Sequence, residues 1–257
     1  MRFVLRLFGA LLLLILFAAS YIYFSSLAKI PESRFAPDNS SSTRSNDAPI
    51  LLFGATRNTG LEFAKQLSAR GEKIVAFARP SSDVSELESL GAEILRGDAM
   101  DTDSIEAAFA SQSFRAVMST VGCFSCDPPV DFTGNKNIID AAKAANVTRM
   151  MFISTIGAGN SKDTLPRLPR YFLRGVLPLK TRAEEYLKTS GLEYIILRPG
   201  GLGNDPASGS GLLSEDVNAF GYIDRVELAR LMVACIDAPS CVNKTLTAID
   251  EQKKLPW

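Results

Sequence analysis

The chain has 257 residues, enough for one domain with a real core, and its 28 basic residues balance 28 acidic ones. That balance, with the basic residues scattered, argues against a nucleic-acid surface. There is no histidine, which excludes Ser-His-Asp and Cys-His catalysis and histidine-ligated metal, and four cysteines are too few for a disulfide scaffold in a chain this long.

In chain order, the first feature is an uncharged apolar run from Leu7 to Phe24, preceded by Arg2 and Arg6. A membrane span needs about 20 predominantly apolar residues, so the run is just long enough. We read residues 1–28 as an uncleaved single-pass membrane anchor, with Tyr21 and Tyr23 suited to the interface. A signal peptide shares the charge pattern, and Ser26-Leu27-Ala28 would give it a cleavage site. Arg2 and Arg6 favour export of the domain C-terminal to the run, whereas Lys29 and Arg34 pull the other way, so the side of the membrane stays open. Residues 29–48 are rich in Ser, Pro, Asn and Asp and predict a flexible linker. Residues 49–257 form the globular domain.

That domain opens with the apolar run Ile50 to Phe53, which stops at Gly54; Gly60 follows, and Leu61, Ala64 and Leu67 begin a helical period. This is a buried strand, a tight turn and a helix start. Unpaired N–H groups at a helix start carry partial positive charge and suit a phosphate. The loop lacks a middle glycine, because Arg57 stands there, so on its own it fits an ordinary strand–turn–helix corner as well. The alternation then continues. Strands are expected at 72–80, 92–98, 114–122, 149–155, 194–199 and 244–249, and helices at 82–90, 101–109, 132–146, 181–190 and 224–237, with Asp101 or Thr102 capping the second of these. Several strands are continuous apolar runs, the pattern of a parallel sheet covered on both faces, so the fold class is an α/β Rossmann-type doubly wound sheet. Ligands sit beyond the C-terminal ends of such strands. Those ends carry Gly54-Ala55-Thr56, Arg79, Gly97-Asp98, Thr120-Val121-Gly122, Ser154-Thr155 and Pro199-Gly200-Gly201.

Across residues 49–250 the chain resembles the atypical short-chain dehydrogenase/reductases, in particular the NmrA-like, NAD(P)-binding group that includes biliverdin/flavin reductase-like proteins. The resemblance is carried in order by Gly54-Ala55-Thr56-Arg57-Asn58-Thr59-Gly60, Gly97-Asp98, Asn137 to Lys143, Ser154-Thr155-Ile156-Gly157, Ala183 to Leu187 with Ser190-Gly191-Leu192, and Leu197-Arg198-Pro199-Gly200-Gly201-Leu202. It implies that Gly54 to Gly60 cradle a pyrophosphate, Asp98 and Ala99 lie near the adenine, and Thr120, Val121 and Gly122 line the ribose side. It further implies Ser154 near the nicotinamide, Lys180 on the nicotinamide ribose, and Pro199 and Gly200 closing that end. Ser154 and Lys180 are the candidate catalytic residues.

Cofactor choice follows from charge. An acid after the second strand bonds the ribose 2′-hydroxyl of NAD, and a base accommodates the 2′-phosphate of NADP. Arg79 stands there, with Arg57 on the same side, and guanidinium groups suit phosphate. We therefore expect NADP(H) over NAD(H), the other reading being two solvated arginines. The pattern departs from the usual Tyr-x-x-x-Lys, since Val176 stands four residues before Lys180. The implied activity is an NADPH-dependent oxidoreductase acting on a small molecule (a quinone, a flavin or a carbonyl); the alternative is a dinucleotide-binding sensor or scaffold without turnover.

Three features remain. Cys123-Phe124-Ser125-Cys126 beside the expected cofactor is open to three readings: plain or disulfide-bonded loop residues, a redox pair, or a zinc site with Cys235 and Cys241. Asn39, Asn146 and Asn243 match the glycosylation pattern. Leu165 to Leu179, apolar with Arg167, Arg170 and Arg174, fits a membrane-touching patch, a lid, or an ordinary helix.

Overall fold

A computed structural model describes residues 11–20, 23, 28–38, 47–124 and 126–254. Ten strands form one sheet: β1 Ile50–Phe53, β2 Ile74–Ala78, β3 Glu93–Arg96, β4 Ala116–Ser119, β5 Arg149–Ile153, β6 Glu193–Pro199, β7 Gly201–Gly203, β8 Gly211–Ser214, β9 Tyr222–Asp224 and β10 Lys244–Asp250. Their order is 3-2-1-4-5-6-10-9-7, with β8 paired to β10. From β3 to β10 every neighbouring pair is parallel, whereas β8 and β9 run antiparallel to β10. The expected doubly wound parallel sheet is therefore the core, extended by a mixed edge that carried no signal in the sequence. Its strands β7 to β9 are only three or four residues long and include glycines.

Side chains alternate across each strand, so a strand covered on both faces is apolar throughout. In β1, Ile50 and Leu52 point to one core with α1 (Asn58–Ala69) and α7 (Arg225–Cys235). Leu51 and Phe53 point to the other, with α3 (Thr102–Ser111), α4 (Val130–Ala144) and α6 (Leu177–Thr189). All four β1 residues are buried. Two shorter α-helices, α2 (Ser85–Ser89) and α5 (Arg167–Leu173), lie beside them in the domain. Asp101 caps α3 as expected, accepting from the Asp103 amide at 3.2 Å.

One sequence expectation changes. Composition predicts a flexible linker over residues 29–48, but residues 28–38 form a strap along the mixed edge. Lys29 and Phe35 make antiparallel bridges to Phe220 and Leu213, and Asp38 accepts from the Ser240 hydroxyl at 2.6 Å. Composition misses this because the two bridges use backbone groups, which any sequence supplies. The cysteines pair as Cys123–Cys126 and Cys235–Cys241, so none is free. A four-thiolate zinc site is thereby ruled out, and among the described residues no cluster of His, Cys, Asp or Glu fits a metal. The expected membrane anchor lies in part outside the described residues. Residues 11–20 are helical, with Leu11 to Phe17 all more than half exposed, and no helix among the described residues is long and apolar enough to cross a membrane.

Candidate dinucleotide site

The C-terminal ends of β1, β2, β4, β5 and β6 open into one cleft of about 610 Å³, within the usual range for a small-molecule site. Every expected cofactor residue lines it except Ala55 and Gly60, which are buried beneath the loop.

Both loop glycines have a physical reason. Gly54 turns with φ +82°, and a Cβ there would stand 2.6 Å from Thr120 Oγ1. Thr120 Oγ1 donates to the Gly54 carbonyl at 2.9 Å, tying the loop to the end of β4. A Cβ on Gly60 would overlap the Gly54 carbonyl oxygen, so only glycine lets α1 start this close beneath the turn. Thr56, Asn58 and Thr59 complete the rim, and Asn58 itself adopts a positive φ of 54°.

Arg57 and Arg79 are exposed on this rim, and neither has an ion-pair partner among the described residues. The turn after β2 is fixed from below, since Arg96 donates to the carbonyls of Arg79 at 3.1 Å and Ser82 at 3.0 Å. Asp98 spends one oxygen on the Met100 amide at 2.9 Å, shaping the turn that presents Ala99.

The far end is built around Lys180, buried on the first turns of α6. Its Nζ donates to the carbonyls of Val121 at 3.0 Å and Ile153 at 3.3 Å, and stands 3.5 Å from Asp131 Oδ1. Burial pushes its pKa below the ordinary lysine range, with Asp131 opposing. Val176, one turn earlier, also lines the cleft, so the position expected for a tyrosine faces the site but brings no hydroxyl. Ser154 is buried in the wall, and its Oγ has no hydrogen-bond partner among the described residues. Orphaned buried hydroxyls are uncommon, so this one is suited to meet a ligand or water. Pro199 and Gly200 border the same end.

Among the lining residues that sequence reasoning missed, Asp131 and Arg225 matter most. Asp131 in the first turn of α4 looks like an acid complementing the helix dipole, yet it is the carboxylate beside Lys180, and only the fold brings them together. Arg225 opens α7 directly after β9 of the mixed edge, where no motif pointed. It donates to Gly203 and Asn204, while its Nε is buried without a partner among the described residues. The segment 165–179 forms α5 and the start of α6, with Leu168, Tyr171 and Phe172 exposed and Leu173 and Val176 on the cleft.

A 3-2-1-4-5-6 sheet with a glycine corner on its first strand and small polar residues at the strand ends defines a dinucleotide-binding Rossmann protein. More particularly, the chain belongs to the NAD(P)H-binding family, whose model matches residues 54–239. Its relatives lie among atypical short-chain reductases and epimerase-like proteins, as the motifs imply. ChuY, an anaerobillin reductase from Escherichia coli O157:H7, is 28% identical with a TM-score of 0.73, covering 79% of this chain and 98% of that one. Sanguinarine reductase of Eschscholzia californica is 28% identical over 76% of this chain and 86% of its own length. The uncharacterized sugar epimerase YhfK of Bacillus subtilis (strain 168) is 27% identical over 76% of this chain and 91% of its own.

Proposed function

We propose that this chain is an NADPH-dependent reductase of a small molecule, a quinone, flavin or carbonyl, working in the cleft above β1 to β6. The carrying observation is the polarity of that cleft: two guanidinium groups with no ion-pair partner among the described residues at one end, and at the other a buried Lys180 and a Ser154 hydroxyl with no hydrogen-bond partner among them. Arg57 and Arg79 would hold the 2′-phosphate. The loop from Gly54 to Gly60 would take the pyrophosphate on its backbone amides, and Thr120 to Gly122 the ribose side. Bound NADPH would supply a hydride, the chemistry that belongs to the cofactor. Lys180 would orient the nicotinamide ribose, and Ser154 would donate to the carboxamide or the acceptor oxygen. With Val176 in place of a tyrosine, an acceptor that takes its proton from water, such as a quinone or flavin, suits the site better than a simple ketone.

The test is titration of the full chain with NADPH and NADH, followed by nucleotide consumption against quinones, flavins and carbonyls. NADPH is expected to bind at least tenfold more tightly, the scale of one charge-assisted contact. Arg79→Asp should invert the preference. If neither nucleotide binds, the reading fails; tight binding without consumption of any acceptor supports the sensor reading instead.

We further propose that residues 1–28 tether the chain to a membrane, supported by the exposed apolar helix at 11–20. Membrane fractionation should then find the full chain in the pellet and a version lacking 1–28 in the supernatant. Equal partition of both would discard the tether.

A further inference from the structure

The loop joining β4 to α4 carries the Cys123–Cys126 disulfide, which the proposed nucleotide chemistry leaves unused. The two disulfides of the chain differ in setting. Cys235 and Cys241 are fully buried, whereas Cys123 is part-exposed, Cys126 is exposed, and both line the cleft. Their loop is wired to the buried lysine from two sides. The Val121 carbonyl accepts from Lys180 directly at 3.0 Å, and the Cys123 amide donates to Asp131 Oδ2 at 2.9 Å, while the other oxygen of Asp131 faces Lys180. The packing between them is tight, for a Cβ on Gly122 would stand 2.7 Å from Asp131 Oδ1 and 3.0 Å from Lys180 Nζ.

We propose that Cys123–Cys126 is a thiol–disulfide exchange site whose oxidation state sets the grip of the cleft on its nucleotide; the second half of this rests on the nucleotide reading above. The partner is a dithiol reductant. A thiolate of the reductant attacks Sγ of the exposed Cys126, and the Cys123 sulfur leaves as a thiolate and takes up a proton. The second thiolate of the reductant then attacks the mixed disulfide and releases Cys126 as a thiol. Two protein thiols form, and the reductant becomes a disulfide. The oxidised form holds the backbone of 121–123 in the shape that presents Val121 and Gly122 to the ligand and the Cys123 amide to Asp131. The reduced form must order that loop on binding. Opening so short a cross-linked loop restores chain entropy worth roughly a tenfold loss of affinity.

The experiment uses the full chain, dithiothreitol as the probe reductant, and alkylation of exposed thiols read by peptide mass spectrometry. Mild reduction of the folded protein is expected to label Cys123 and Cys126 and to leave Cys235 and Cys241 unlabelled. Amide hydrogen exchange across 121–131 should rise on reduction, a readout that needs no nucleotide. NADPH should bind about tenfold more weakly to the reduced protein. A Cys123→Ser/Cys126→Ser variant should match the reduced protein and ignore dithiothreitol. Failure of native reduction to expose Cys123 and Cys126, or an unchanged or tighter NADPH affinity on reduction, overturns the proposal. Absence of NADPH binding in both states sinks the nucleotide reading and with it the grip; the labelling and exchange results then decide the exchange site by themselves.

Discussion

Lys180→Met is expected to weaken NADPH binding by about 10- to 100-fold, since a hydrogen bond to a charged group contributes about 1.5–3 kcal/mol. The residue is not idle without ligand. Its Nζ donates to Val121 O and Ile153 O and stands beside Asp131 Oδ1, the longest of the three contacts at 3.5 Å. That looser contact is the one a ribose hydroxyl can replace or share. The pH dependence gives an independent readout. Burial lowers the pKa of Lys180 although Asp131 opposes it. A base with a folded pKa below its unfolded value binds fewer protons folded than unfolded, so its burial costs stability at neutral pH. That cost fades as pH rises through the lowered pKa toward the ordinary lysine value. Binding has the opposite sign, because the cation is the better donor: affinity for NADPH should fall as pH climbs past the lowered pKa. Lys180→Arg stays charged throughout and should flatten that profile even if its fit costs affinity. A methionine variant that binds as tightly as the parent would remove Lys180 from the site.

The parallel half of the fold was legible because both its faces are covered. Ile50 to Phe53 or Ile74 to Ala78 then appear as unbroken apolar runs, and each is followed by a helix with a clear period. The cleft was legible for a related reason. Its lining comes from strand ends, where the chain must turn and where small residues such as Gly54, Gly122 and Gly200 stand out against the apolar runs. The mixed edge was not legible. Three-residue strands such as Tyr222–Asp224 give a period of two nothing to repeat over, and their pairing is set by β10 far along the chain. The strap at 28–38 was hidden in the same way. Its Lys29 and Phe35 bridges use backbone donors and acceptors, which composition does not report. The partnership of Asp131 with Lys180 joins residues on two different helices, and a single sequence carries no trace of it.

Glu184→Ala should destabilise the domain by about 3–5 kcal/mol, the usual cost of leaving a buried charge unpaired. Arg198 is 2% exposed, and its guanidinium donates from Nε to Glu184 Oε1 at 2.9 Å and from Nη2 to Oε2 at 2.5 Å. Asn160 accepts from Nη1 at 2.6 Å, so each of the three nitrogens has a partner. In a domain of this size each kcal/mol moves Tm by about 2–4 °C, so thermal unfolding should shift down by roughly 6–20 °C. A variant as stable as the parent would mean that Asn160 or water takes over from the carboxylate. Removing both charges, Glu184→Leu with Arg198→Met, should recover most of the loss, because the desolvation cost of an ion pair is comparable to its attraction. The value of the pair would then lie elsewhere. Glu184 sits one turn after Lys180 on α6, and Arg198 directly precedes Pro199 and Gly200 at the end of β6. The bidentate contact thus fixes the spacing between the lysine and the wall it faces. The double variant is expected to unfold like the parent yet bind NADPH more weakly, an outcome that separates positioning from stability. Parental affinity in a stable double variant would reduce the pair to one packing solution among several.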